Sequence, residues 1–277
     1  MKEIEEAIRE NNLLILSPHY DDVPLTFGGY LGMLREKGLT SSKNIHIVQI
    51  FSRSNYQARD DEGNKDTSLQ RIQHATGIRL LEDLNCLDEL IGFGEYRYEI
   101  KAEKECVIRQ KGWKEGELFE FPQGNQEDFD SEDWEIFGRI KICAADWLSQ
   151  KETAILLPLG IKEHIDHIIL RDAVVSAWKD LKNKAKSTIY FGEDQPYTGL
   201  AGKEDWEKAK SFLDTLTTEE IDYCINETRK AELVWQHYPT QVEESYRQGI
   251  LNRADQLKHI HNAPSGMERM YRLMQDE

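Results

Sequence analysis

Cysteine, basic charge and long apolar runs are scarce in this sequence, and each scarcity excludes a class of protein. The four cysteines among 277 residues, Cys86, Cys106, Cys143 and Cys224, are scattered and form no Cys-x-x-Cys pair. That spacing excludes a zinc knuckle and a disulfide framework, and fits free thiols in a reducing cytoplasm, the expected location. Lys and Arg total 35 against 51 Asp and Glu, a formal net charge of -16. Phosphate contacts need clustered Lys and Arg, so no nucleic-acid partner is expected, and no anionic membrane surface. A small anionic ligand needs only one local basic group and stays open. No run is long enough to span a bilayer, and the first ten residues, MKEIEEAIRE, lack the apolar stretch of a secretion signal.

What is present reads as alternating strands and helices. Ile4, Ala7 and Ile8 at helical spacing predict a short helix over 1–11. Leu13 to Leu16 is an unbroken apolar run, as in a strand buried on both faces. Gly28-Gly29 leads into a helical stretch closed by Gly38, and a second strand covers Ile45 to Phe51. Strand, helix, strand at this length is a βαβ unit, hence a parallel sheet. A helix from Thr67 to Ala75 should stop near Gly77. Residues 92–130 have no clean period and read as an insertion or a hairpin with loops. Ser131 to Gln150 is helical with Trp134, Phe137, Ile140 and Ala144 on one face, Thr153 to Leu157 is a third buried strand, Ile165 to Leu181 a helix, and Ser187 to Phe191 a fourth strand. From about Lys203 the chain reads as mainly helical. With no repeat and no low-complexity linker, a single domain over 1–277 is expected.

Two constellations carry chemistry. Ser17-Pro18-His19-Tyr20-Asp21-Asp22 follows the first strand directly. Ligands of open α/β sheets bind beyond the carboxyl ends of strands. His19 and Asp22 can supply two metal ligands, leaving Asp21 to work on a water. Equally, these polar residues can cap the helix that follows. His164-Ile165-Asp166-His167 follows the third buried strand and opens a helix. Residues three apart share a helix face, so both imidazoles can point one way, although one His-x-x-His alone also suits a pair of surface histidines. Together the two constellations provide His, Asp and His, a common set for a three-ligand catalytic zinc. Asp21 and His164 remain for the base and stabiliser that hydrolysis requires.

These residues resemble the PIG-L/LmbE-like zinc-dependent N-acetylglucosaminyl deacetylases, whose motifs read roughly HPDD and HxDH. Phe27-Gly28-Gly29, the segment Glu193-Asp194-Gln195-Pro196-Tyr197, and the stretch from Lys230-Ala231 to Thr240-Gln241 resemble further family segments, so the likeness runs from about residue 13 to about residue 244. The resemblance implies a Rossmann-like three-layer αβα sandwich with a mostly parallel sheet. It implies one Zn2+ per chain on His19, Asp22 and His167, Asp21 as general base, and a protonated His164 stabilising the oxyanion. Asp166 would hold His164 and favour its charged form. Arg71 falls where the family often has a substrate-contacting arginine, although the usual RxxE partner is His74 here, and Asp88 matches an acidic substrate-binding residue loosely. Tyr20 replaces the usual Pro and Val23 the frequent Glu. No tyrosine lies in 157–163, where some members carry one.

The function implied is hydrolysis of an N-acetyl group from an N-acetylglucosamine-type amino sugar or conjugate, releasing acetate and a free amine. The alternatives are another acyl amide on the same fold, or a catalytically silent metal- or sugar-binding relative. The substrate is a small N-acetylated molecule, and the oligomeric state is open, a homo-oligomer included. His46, His237, His259 and His261 read as packing or surface histidines. Gly28, Gly29 and Gly32 make no dinucleotide fingerprint.

Overall fold

A computed structural model of the chain describes residues 8–112, 121–181 and 184–275. Its strands and main helices are β1 (Asn12–Ser17), α1 (Asp22–Glu36), β2 (Asn44–Gln49), α2 (Leu69–Leu90), β3 (Tyr96–Ile100), α3 (Ser131–Leu148), β4 (Thr153–Pro158), α4 (Ile165–Leu181), β5 (Thr188–Gly192), α5 (Lys203–Leu213), β6 (Thr218–Cys224), α6 (Glu227–His237), α7 (Glu244–His261) and β7 (Met267–Leu273). The strands form one seven-stranded sheet in the order β3-β2-β1-β4-β5-β7-β6. β1, β2, β3, β4 and β5 run parallel, and β7 is antiparallel to both β5 and β6.

The apolar run of β1 explains its central place. Leu13 and Ile15 enter one core with Ile45, Ile47, Ala154 and Leu156, under α1, α2, α6 and α7. Leu14 and Leu16 enter the other with Val48, Ile155 and Leu157, under α3 and α4. A strand buried on both faces needs no polar alternation. The result is a three-layer α/β sandwich with a mixed, mostly parallel sheet. Strand order reverses between β1 and β4, the switch point where open α/β sheets bind ligands.

Four expectations change. Residues 1–7 of the expected first helix lie outside the described residues, and Ile8 to Asn11 are not helical. α2 does not stop near Gly77 but runs to Leu90. A buried stripe of Ile72, Ala75, Arg79, Glu82, Asp83, Cys86, Leu87 and Leu90 at three- and four-residue spacing carries it through. That stripe outweighs the cost of an interior glycine, about 1 kcal/mol. Within 92–130, residues 113–120 lie outside the described residues, and Tyr96–Ile100 is the edge strand β3, in parallel register with β2. Beyond Lys203 the chain adds β6 and β7 to the sheet as well as helices.

At Gly29 an added Cβ would collide with Glu268 and Ile225, so only glycine lets α1 approach β7 this closely. Buried Lys230 pairs with Glu268 there and donates to the Leu25 carbonyl at 2.6 Å. Among the described residues no helix is long and apolar enough to cross a membrane. The four cysteines are unpaired by disulfides.

Candidate metal centre and its pocket

β1 ends at Ser17, whose hydroxyl donates to the His19 carbonyl at 2.7 Å. This tight turn delivers His19, Asp21 and Asp22 to the switch point. β4 ends at Pro158, and the turn after it delivers His164, Asp166 and His167. Asp21 is the N-cap residue of α1, yet its side chain makes no capping hydrogen bond. The carboxylate is therefore not used to start the helix, which removes the structural explanation for it.

Three atoms from the two turns form a nearly equilateral triangle. His19 Nδ1 lies 3.2 Å from Asp22 Oδ2, His167 Nε2 lies 3.3 Å from the same oxygen, and the two ring nitrogens are 3.3 Å apart. Zinc bonds of roughly 2.0–2.1 Å in tetrahedral geometry require ligand atoms about 3.3 Å apart. The outer nitrogen of each imidazole meets a carboxylate: His19 Nε2 is 2.9 Å from Asp166 Oδ2, and His167 Nδ1 is 2.6 Å from Asp194 Oδ1. Such carboxylates fix the tautomer, so the inner nitrogens present lone pairs to a common point. Asp194 is itself fixed, because Oδ2 accepts from the backbone N–H of Gly160 at 2.7 Å and of Ile161 at 2.8 Å. Asp166 accepts from Arg109 at 2.6 Å and from the Cys106 N–H at 2.9 Å.

The charge balance also calls for a cation. Burial alone would lower the His19 pKa, but hydrogen bonds to Asp166 and Asp22 outweigh it and raise it to about 9. His167 is likewise driven up against its burial by Asp22 and Asp194. Asp22 is held well below the carboxylate range, since the His167 and His19 charges overcome its own burial. Three carboxylates thus demand positive charge at the two rings, and a divalent ion on the triangle would supply it. The residues fit zinc in donor type, spacing and charge. His19, His164 and His167 can also be grouped, with ligand atoms all within 4.8 Å of one another. The triangle through Asp22 is tighter, and it leaves His164 free.

Asp21, in the same cavity, has its pKa raised to about 6, by burial first and then by the Asp22 charge. With no ion on the triangle, burial and then the charges on His19 and His167 hold His164 well below its usual pKa. Asp166 is the residue expected to hold His164 and favour its charged form. The Asp166 carboxylate turns to His19 instead, while its backbone N–H donates to His164 Nδ1 at 3.3 Å. Nδ1 is therefore an acceptor, which leaves a hydrogen on Nε2, the nitrogen 3.8 Å from Cys106 Sγ at the cavity wall.

The cavity measures about 240 Å³ and is lined by His19, Asp21, Asp22, Arg79, Glu105 and His164, with a wall of Tyr56, Phe121, Tyr197 and Tyr246. Arg71 and Asp88, the two expected substrate contacts, are not among the lining residues. Arg71 instead pairs with Asp60 at 2.8 Å and bonds Asn55, Gln57 and Asn64, tying together the loop before α2. Asp88 accepts from the Tyr96 hydroxyl at 2.9 Å, near the sheet edge. The arginine in the cavity is Arg79, buried and bonded to both Glu105 oxygens at 2.8 Å and to Gln241 at 2.6 Å. Its signal was in the sequence: Arg79-Leu80-Leu81-Glu82 is an RxxE run, which Arg71 lacks. Glu82 in turn accepts from Thr240 and Gln241, so α2 is clamped to the segment after α6.

With this geometry in hand, the chain can be set against known proteins. No family model matches it, and no curated protein sequence does. Among solved structures it is similar to a teicoplanin deacetylase in its zinc-inhibited form, at 16% identity over 96% of this chain and 99% of that one, TM-score 0.63. The chain has the fold of that deacetylase. It is also similar to the N,N'-diacetylchitobiose deacetylase from Pyrococcus horikoshii, at 11% identity over 98% and 90% of the two chains, TM-score 0.54. A 4-carboxy-2-hydroxymuconate hydratase from Pseudomonas putida KT2440 is similar to the same degree, at 12% identity over 96% and 98%, TM-score 0.54. A fold that carries both deacetylases and a hydratase does not choose the reaction, which has to be argued from the site.

Proposed function

We propose that the chain is a zinc-dependent deacetylase of the PIG-L/LmbE-like kind. It removes an N-acetyl group from an amino sugar or glycoconjugate, N-acetylglucosamine types included, and releases acetate and a free amine. The observation that carries this reading is the triangle of His19, Asp22 and His167 with the uncommitted carboxylate of Asp21 beside it. The fold shared with two deacetylases supports an acetamide as the bond attacked.

Zinc on His19, Asp22 and His167 would supply Lewis acidity toward the acyl oxygen and a lowered pKa for the attacking water. Asp21, ionised at neutral pH with its pKa near 6, takes a proton from that water as its oxygen bonds to the acyl carbon. When the C–N bond breaks, Asp21 returns the proton to the amine nitrogen. His164, neutral with its hydrogen on Nε2, donates to the acyl oxygen as negative charge develops there, a contribution of about 3 kcal/mol. Asp166 and Asp194 hold the two ligand imidazoles in the required tautomer. The aromatic wall excludes bulk water and offers faces to a sugar ring.

Acetate release from a panel of N-acetylated amino sugars, with zinc-loaded and metal-stripped protein, tests this reading. Release that needs zinc establishes the reaction. Zinc bound at one ion per chain, with no release from any acetylated member but cleavage of a longer acyl amide, would replace acetyl by another acyl group. Binding without cleavage of any compound would contradict enzymatic function.

A further inference from the structure

We propose that Lys162 makes the site selective for N-acylated substrates that carry an anionic group, a carboxylate or a phosphate, outside the acyl amide. The proposal rests on the deacetylase reading and adds a substrate class to it.

Among the described residues lining the cavity, two side chains are permanently cationic, Arg79 and Lys162. Arg79 is spent internally. It meets both oxygens of Glu105 at 2.8 Å, and its surroundings of Ser54, Gln241 and Glu105 leave its charge balanced within the wall. Lys162 has no carboxylate partner among the described residues. Its ammonium lies 5.9 Å from the centre of the Phe121 ring, at the cavity lining. It makes no hydrogen bond to His164 or to the carboxylates of the metal centre.

The backbone puts it there at a cost. Between β4 and α4, Gly160, Lys162 and Glu163 have φ of +83°, +62° and +54°. Two of the three carry a side chain in the left-handed region, which is unfavourable for each. The turn is held in that shape from both sides. The Gly124 N–H donates to the Glu163 carbonyl at 3.0 Å, the Ile165 N–H to the Pro122 carbonyl at 2.9 Å, and the Glu163 carboxylate meets Lys208 at 2.8 Å. A strained turn thus presents an ammonium with no carboxylate partner among the described residues to a cavity whose other charged lining residues include Asp21, Asp22 and Glu105. On a chain of net charge -16 an anionic substrate meets general repulsion. One local cation without a carboxylate partner among the described residues reverses that at the cavity lining.

The test uses the zinc-loaded full chain and three probes: N-acetylglucosamine, its 6-phosphate and its uronic acid. The expected result is a kcat/KM for at least one anionic probe about tenfold above the neutral one, the scale of one charge-assisted hydrogen bond. That preference should shrink with added salt. Which anionic arm leads identifies carboxylate or phosphate. Lys162→Met should bring the ratio close to one. Lys162→Asn, whose side chain tolerates the left-handed backbone, should do the same, which guards against a folding defect. Equal turnover of neutral and anionic probes by the unmodified protein would overturn the proposal, as would a uniform loss on all three probes in both variants, which would mean that Lys162 acts on the acyl group. If no probe is cleaved, calorimetric titration separates the two readings. Binding of an anionic probe that is lost in Lys162→Met keeps the anion site while the deacetylase reading fails, and no binding of either anion overturns both.

Discussion

Replacing Asp194 by Asn keeps the shape of the side chain and reverses the polarity of one end. In the structure Oδ2 accepts two backbone N–H groups, from Gly160 and Ile161, while Oδ1 accepts from His167 Nδ1 at 2.6 Å. An asparagine must keep its oxygen on the two backbone donors, because an NH2 group there would face donors alone. Its NH2 then faces His167 Nδ1 and donates to it. Nδ1 becomes an acceptor, the ring hydrogen moves to Nε2, and Nε2 is the nitrogen that belongs to the ligand triangle. The substitution therefore sets the wrong tautomer at the proposed ligand without removing that side chain. Losing such an outer carboxylate typically weakens metal affinity about 10–100-fold, which is about 1.4–2.8 kcal/mol. Zinc Kd measured by competition with a chelating indicator reads the effect directly, and circular dichroism checks that the variant is folded. A folded Asp194→Asn protein with the wild-type zinc Kd would refute the assignment of His167 Nε2 as a ligand.

Other perturbations address the surroundings. Asp83 is buried and accepts from the hydroxyls of Tyr98 and Tyr238, both at 2.6 Å; burial, reinforced by the Asp21 and Asp22 charges, pushes its pKa from 3.8 up to about 8. The folded state therefore keeps a proton that the unfolded chain releases, so this group's stabilisation is complete below 3.8 and is lost as pH rises toward about 8. Urea midpoints across that window should fall with pH, and less steeply in Asp83→Asn. Arg79→Met leaves Glu105 buried without its partner and should destabilise by about 3–5 kcal/mol in chemical denaturation, whereas Arg71→Ala, which loosens only the loop before α2, should cost less and leave zinc binding unchanged. Gly29→Ala drives a methyl into Glu268 and Ile225 and should destabilise by the overpacking cost, about 1–3 kcal/mol, read as a lower urea midpoint.

The central strands, and the turns that bring His19, Asp22 and His167 together, were legible because they are local. Leu13 to Leu16 and Thr153 to Leu157 are apolar runs that end in polar turns, and each turn groups its candidate site residues within four positions. The edges of the sheet were not. The edge strands β3 and β6 mix charged and apolar residues because they are less deeply covered, and β7, largely buried between β5 and β6, still interleaves Glu268, Arg269 and Arg272 with its apolar residues, so periodicity alone does not separate them from loops or helices. Arg79 was missed because Gly77 was read as a stop. The helix continues through it on buried contacts that only the assembled core supplies. The role of Asp194, and the segment from Glu105 to Arg109 that braces Asp166, depend on residues far apart in the chain. A sequence pattern does not show which carboxylate meets which imidazole, and for that reason Asp166 was paired with His164 when its carboxylate lies on His19.

The central claim is that Asp21 works as a base beside zinc held by its neighbours. Its most direct test is the Asp21→Asn variant, assayed for bound zinc and for acetate release on whichever acetylated amino sugar the unmodified protein cleaves. The account predicts one zinc per chain retained and turnover lowered by about 10²–10⁴-fold. Zinc retained with near-wild-type turnover would contradict it.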